Sequence, residues 1–427
     1  MSFSKTLHFR CSAKHKEYVQ KAKEATISVA EGAVRAGKTI DNIAAFASML
    51  EKGVPDRIHL VTGATVGTAK LNIGDANGFG LEHIFRGRCR WANYRNNEAL
   101  IVKIRGREYV VIFAGGGKAD SFKRIRGNSY GMWLATEINL HHEEMIREAF
   151  NRQLAAKVRR VFWDLNPINP NAWIYRDYID QFNETFGDRY NYQHFTIFDN
   201  ITIPPERIKE IERQYVPGSI WYRRDIEGER CIAEGLVYPM YEDALEETYI
   251  GNRFDYVISI DYGTQNPFAA LKWIKGEDCW HLVDEFYYSG RTEGHQKTDA
   301  DYVRDMVRFT EDHPNRDIRV IVDPSATSLI AAMRRCTERS FKIVHADNSV
   351  MAGIEETATC LQGSQGLIKI GRNCKNTISE FASYVWDEKA DSDKPIKEND
   401  HAMDAMRYFV KTMRVYRPQG TYRPLIG

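Results

Sequence analysis

Residues 25–41 read ATISVAEGAVRAGKTID, and the run GAVRAGKT at 32–39 decides how the first half of the chain folds. Gly32, Gly37, Lys38 and Thr39 satisfy the spacing G-x-x-x-x-G-K-[ST]. In that pattern glycines let successive backbone N–H groups wrap phosphate oxygens, the lysine reaches the terminal phosphates and the hydroxyl holds Mg²⁺. Chance produces the pattern often, so its surroundings carry the reading. An apolar run precedes it, and KTIDNIAAFASMLEKG follows with Ile40, Ile43, Ala44, Ala47 and Leu50 at helical spacing and Gly53 as a stop. Strand, loop and helix in that order put a helix N-terminus on the bound anion. Gly32, Arg35, Gly37, Lys38 and Thr39 are therefore expected to bind a nucleotide, with Thr39 on Mg²⁺ and Arg35 a candidate finger acting in cis on the terminal phosphate.

Further apolar runs at 57–62, 107–114, 130–135 and 159–164 alternate with helical patterns, which predicts an α/β domain around a mostly parallel sheet. The run at 130–135 leads into Glu137, the candidate for orienting and activating an attacking water. Asn166, before Pro167, reads either as a sensor of the terminal phosphate or as a turn former. In SFKRIRGNSY, Arg126 is expected to reach a phosphate in cis or in a neighbouring subunit, with a DNA contact and a solvated loop as its alternatives.

Periodicity weakens after Pro204, so the expected division is a nucleotide domain at 1–203, a linker subdomain at 204–252 and a second domain at 253–427. Strand patterns resume at 256–261, as a hairpin over 269–288 turning at Gly276, and at 318–323 and 341–346. Asp261 and Asp323 each end an apolar run. Carboxylates that end adjacent strands repel unless a cation lies between them. A third acid comes from KENDHAMDAMRYFV at 397–410, where Asp400 and Asp404 stand one helical turn apart, a spacing at which like charges repel. Asp400 reads as the helix N-cap, which leaves Asp404 for the site. Met403, Met406, Val410 and Met413 fall on one side of that helix and Asp400, Asp404, Arg407 and Lys411 on the other. Asp261, Asp323 and Asp404 are the expected ligands of Mg²⁺ or Mn²⁺, one or two ions suited to phosphodiester cleavage. His401 either positions water or phosphate or caps the helix, Glu285 is a weaker fourth acid, and Lys389 and Lys397 could meet the scissile phosphate.

The bulk numbers set the frame. A chain of 427 residues exceeds what one core usually organises. With 59 Lys+Arg against 58 Asp+Glu, nucleic-acid contacts must come from local clusters. Seven cysteines without a CxxC pair suggest neither a disulfide framework nor a zinc site. No apolar window is long enough for a membrane span and the first residues lack a signal peptide's apolar core, so a cytoplasmic protein is expected.

Taken in order, the GxxxxGKT loop, Glu137 after its strand, the Asn-Pro turn at Asn166, DYG at Asp261, VDPSA at Asp323 and DHAMDAMRY around Asp404 resemble the large terminase subunit of tailed bacteriophages. The resemblance covers most of the chain. It implies a P-loop ATPase that pumps double-stranded DNA into an empty capsid, followed by a nuclease of the ribonuclease H fold that cuts the concatemeric genome. It implies ATP with Mg²⁺ at Lys38 and Thr39, catalysis by Glu137, a coupling role for Asn166, and Mg²⁺ or Mn²⁺ on Asp261, Asp323 and Asp404. The partners it implies are a small terminase subunit, a portal protein and further copies of the chain in a ring on that portal, compatible with a monomer in solution. The place implied is the host cytoplasm, transiently on the procapsid. One departure is visible: the family's strand-end glutamate is usually preceded by Asp, and here Thr136 stands before Glu137. Mg²⁺ would then lean more heavily on Thr39 and water. Two other readings compete, a DNA helicase or repair ATPase with a fused nuclease, and a non-enzymatic scaffold gated by nucleotide.

Overall fold

The phosphate loop leaves the end of β1 (Ile27–Gly32), a strand buried along its whole length between two parallel neighbours, β7 (Arg160–Leu165) and β8 (Tyr190–Phe195). Burial on both faces is why this run is apolar without alternation. Beyond β7 follow β6 (Met132–Ala135), β2 (Ile58–Gly63) and β5 (Arg107–Gly115), all parallel. β4 (Asn97–Ile104) and β3 (Cys89–Tyr94) extend the sheet antiparallel, giving the order β3-β4-β5-β2-β6-β7-β1-β8. The five strands expected here lie within two residues of their places, whereas β3, β4 and β8 were not anticipated. The β3–β4 hairpin turns through Arg95 and Asn96, both at positive φ, a conformation usually signalled by Asn-Gly or Asp-Gly. Trp133 of β6 and Trp163 of β7 meet edge-on at 5.4 Å in the core under this sheet.

The structure is a computed structural model that describes residues 10–215, 217–247, 249, 256–263, 267–313, 316–362 and 366–416. The chain divides into two compact units, Met1–Arg213 with Pro217–Ile232, and Gln214–Val216 with Ala233–Gly427. Of the stretch expected as a linker, the helices Pro205–Glu212 and Ile220–Asp225 fall in the first unit, and β9 (Leu245–Glu246) falls in the second. The expected boundary at 252/253 lies outside the described residues.

The second unit is built on β10 (Tyr256–Asp261), which pairs antiparallel with β11 (Phe268–Lys275), itself antiparallel to β12 (Trp280–Tyr288). On its other edge β10 runs parallel to β13 (Asp317–Val322), and β13 to β14 (Ser340–His345). β15 (Ile368–Gly371) and β9 add parallel strands beyond β12. The antiparallel meander β10–β11–β12, joined through β10 to the parallel strands β13 and β14, is the ribonuclease H-like arrangement expected from the resemblance. The helix His401–Met413 covers this sheet, with Phe409 stacked on Trp273 of β11 at 4.2 Å. Among the described residues no helix is long and apolar enough to cross a membrane, and all seven cysteines are free thiols.

Two candidate functional sites

The first site gathers where parallel strands end and their loops begin, the usual ligand edge of such sheets. Gly32 has φ +148°, and a Cβ on it would stand 1.8 Å from the Phe195 carbonyl oxygen, so only glycine fits between β1 and β8. Gly37, at φ 99°, is the N-cap of the helix Lys38–Lys52. Between them Arg35 is exposed and left-handed, with φ 59°, and it lines the cleft. The buried Lys38 ammonium donates to Gly32 O at 2.8 Å, Ala33 O at 2.5 Å and Asn166 Oδ1 at 3.0 Å. Burial lowers its pKa to about 8, against the pull of Asp164, Asp225, Glu31 and Glu137. A cleft of about 510 Å³ over these groups is also lined by Thr39, Thr136, Glu137 and Asn166.

Glu137 adopts φ 50° and ψ 54°, uncommon for a residue with a side chain. Its N–H donates to Asp164 Oδ1 at 3.1 Å, and the hydroxyl of the buried Thr136 donates to the same oxygen at 3.1 Å. Glu137 precedes a single 3₁₀ turn, Ile138–Leu140, without capping it, so the generic role of a helix first-turn glutamate does not apply. Asp164 was missed by sequence reasoning. Its signal was present, because it closes an apolar run in the same manner as Asp261 and Asp323, on the strand beside β1. Burial pushes its carboxyl up to about 6, opposed by the Glu137 N–H, Lys38, Thr136 and Thr39. Arg126 is not brought to this cleft: it pairs with Glu148 at 3.4 Å and lies over the Phe122 ring.

The second site lies at the end of β10. Asp261 closes that strand and Asp323 follows β13 directly, one place beyond the registered pair Ile260–Val322, so both carboxylates leave the same sheet edge. The Tyr408 hydroxyl stands 3.4 Å from Asp261 Oδ1 and also faces Asp323. His401 Nδ1 lies 2.9 Å from Asp261 Oδ2, and Asn348 Nδ2 donates to Asp323 Oδ2 at 3.0 Å. Burial, and then the charge of Asp404, push Asp261 up against the opposing pull of His401. Asp323 is held low despite its burial by hydrogen bonds from Ser325, Asn348 and Tyr408. Asp404 Oδ1 accepts from Arg407 Nη2 at 2.8 Å and Nε at 3.2 Å.

The three aspartates approach one another without forming a closed cage for one ion. Among the described residues the only His/Cys/Asp/Glu trio whose ligand atoms all lie within 4.8 Å is Asp75, Glu82 and His83, three partly exposed residues already joined by short ion pairs. Tyr408 spans Asp261 and Asp323, and the arrangement suits ions shared between pairs of carboxylates, in keeping with the expected one or two ions. The donor set is oxygen with one imidazole beside it, which fits Mg²⁺ or Mn²⁺.

Other sequence expectations change here too. Asp400 makes no side-chain cap; Glu380, from the helix Lys375–Phe381, takes that place by accepting from Ala402 N at 2.6 Å and Met403 N at 3.2 Å. Asp400 is instead pushed up by burial and by Asp404 and Asp261, another acid of the cluster. Arg407, expected on the polar side of its helix, is 3% exposed and binds the Asn348 and Ser349 carbonyls besides Asp404. The paired acids that repel in an isolated helix are thus relieved by a buried guanidinium. Glu285 accepts the Asn376 and Thr377 N–H groups and so caps a helix instead of joining the acids. Lys389 and Lys397 are exposed.

No protein-family model and no curated protein matches the chain. Solved structures do. The chain is similar to the large terminase of a thermophilic bacteriophage in complex with ADP, at 30% identity and a TM-score of 0.73, over 94% of this chain and 99% of that one. With the ATP-γ-S complex of the same phage protein the identity is 30% and the TM-score 0.72, over 95% and 99%. A further crystal form of it gives 30% and 0.75 over 95% and 100%.

Proposed function

The chain belongs to the bacteriophage large terminases, and on that premise we propose how its two units divide the work of packaging a viral genome. It is a DNA-packaging ATPase joined to a metal-dependent nuclease. In the first unit ATP lies along the phosphate loop, with backbone N–H groups and the N-terminus of Lys38–Lys52 on its phosphates. Lys38 exchanges its loop carbonyls for phosphate oxygens, and Thr39 holds Mg²⁺. A recess of about 270 Å³ beside the loop, lined by Ile40 and Phe79 among others, would take the base. Glu137 orients the attacking water. Asn166, now bonded to Lys38, loses or regains that partner as the terminal phosphate comes and goes, which gives β7 a mechanical response to hydrolysis. Arg35 lines the cleft in cis; Arg126, turned to Glu148, serves a neighbouring subunit's site if it meets a phosphate.

In the second unit Asp261, Asp323 and Asp404 hold Mg²⁺ or Mn²⁺, with Asp400 beside them. Such ions supply an activated water and stabilise the leaving oxygen of a phosphodiester. The chain's own groups fix the acids: His401 orients Asp261, Asn348 and Ser325 orient Asp323, and Arg407 orients Asp404. Double-stranded DNA, a small terminase subunit, a portal protein and a ring of copies are the proposed partners, in the host cytoplasm.

What carries the reading is that one chain, similar to a large terminase over nearly its whole length, presents a lysine-centred cleft on one sheet and a carboxylate cluster on another. A helicase reading gains no support, since the second sheet is organised by an antiparallel meander and not by a second strand, phosphate loop and helix. The test is cleavage of supercoiled plasmid in Mg²⁺, Mn²⁺ or Ca²⁺ beside ATP hydrolysis with and without DNA. Nicking with Mg²⁺ or Mn²⁺ but not Ca²⁺, together with ATP turnover, is expected; hydrolysis without any cleavage would remove the nuclease.

A further inference from the structure

Residue 136, beside the water-orienting Glu137, is a threonine with no charge to offer a cation. The carboxylate that reaches this place comes from the next strand. Asp164 of β7 is 2% exposed and lines the cleft together with Thr39. Its Oδ1 is engaged by the Thr136 hydroxyl and the Glu137 N–H. Its Oδ2 is buried with no hydrogen-bond partner among the described residues. The Thr39 hydroxyl faces the same carboxylate and favours its charged form. A buried carboxylate oxygen left without a donor is costly unless something fills the gap. Mg²⁺ keeps most of its waters and takes only one or two carboxylates, so a single acid opposite a phosphate-loop threonine suits it.

Building on the nucleotide-site reading above, we propose that Asp164 is the acidic group that positions the nucleotide's divalent cation, and that Thr136 is the donor that aims it. The acid of this site is supplied by β7, one strand over from Glu137. Because Asp164 also accepts the Glu137 N–H, one carboxylate ties the cation to the left-handed residue that presents the water-orienting side chain. Thr136 is then a working part of the site, and the threonine there needs no compensation from water alone.

The test is calorimetric binding of a non-hydrolysed ATP analogue, with Mg²⁺ and with EDTA, by the full chain and three variants. Asp164→Asn keeps the shape and removes the charge. Its affinity in Mg²⁺ is expected to fall by about 10- to 100-fold, the usual loss when a group supporting a metal is removed, with affinity in EDTA unchanged. Thr136→Val keeps the carboxylate but removes a donor that aims it, and loses less in the same direction. Combining Asp164→Asn with Thr136→Asp returns an acid from β6 and regains Mg²⁺-dependent affinity. Unchanged Mg²⁺ dependence in Asp164→Asn, or equal losses in both arms, overturns the proposal. If Asp164→Asn does not fold, unaltered Mg²⁺ dependence in Thr136→Val does so. A wild-type chain that binds the analogue in neither arm fails the nucleotide-site reading itself, a separate result.

Discussion

Tyr408 puts its hydroxyl between Asp261 and Asp323, the two carboxylates proposed to share a divalent ion. A hydrogen bond to a charged group is worth about 1.5–3 kcal/mol net, and here it stabilises the carboxylates without metal. Tyr408→Phe is therefore expected to lower the Mn²⁺ concentration for half-maximal cleavage by about fivefold or more. A higher Mn²⁺ requirement would mean that the hydroxyl serves the bound ions. At this scale the sequence showed the residues whose chemistry depends on local spacing. Lys38 and Thr39 came from the loop pattern, and Asp261 and Asp323 from their places at strand ends. Asp164 carried the same strand-end signal, but its meaning depends on Thr136 and Glu137 lying against it, a contact between separate strands. Tyr408 and Arg407 were hidden for a related reason: a helical wheel separates polar from apolar faces, and this helix is buried on both.

Two elements rest on buried charge. The helix His401–Met413 is capped by Glu380, which also accepts from Tyr287 at 2.7 Å, and burial pushes Glu380 up to about 7 from 4.5. A carboxyl with a raised folded-state pKa binds more protons folded than unfolded between those values, so stability falls as pH rises from about 4.5 to 7. Glu380→Gln keeps the acceptor oxygen and is expected to remove that slope, about 1–3 kcal/mol over the window. Urea midpoints at pH 5 and 7.5 would show it, and parallel pH profiles for both proteins would contradict it. In the first unit β1 carries Glu31, fully buried and held by Arg230, Tyr175 and Tyr192. Arg230→Met leaves that charge without its cation, which costs about 3–5 kcal/mol in unfolding free energy. A loss under about 1 kcal/mol would mean that the tyrosines suffice. Regular elements were legible because periodicity and stop signals are local, as in 38–52; the cap by Glu380 was not, because it arrives from another helix.

For the molecule as a whole, two sheets of different topology each gather chemistry at an edge. The phosphate loop and the strand-end aspartates made both architectures readable. β3 and β8 escaped notice because their runs are too polar and the β3–β4 turn lacks the usual glycine signal, whereas β4 was missed although its run is apolar and Gly106 marks its turn into β5. The central claim is that ATP hydrolysis and DNA cleavage belong to two separable sites on one chain. ATP turnover and Mn²⁺-dependent plasmid cleavage, measured side by side on Lys38→Ala and Asp323→Asn, test it most directly. Lys38→Ala is expected to lose turnover by about 10²–10³-fold and keep cleavage, and Asp323→Asn to do the reverse. Loss of both activities in either folded variant would contradict it.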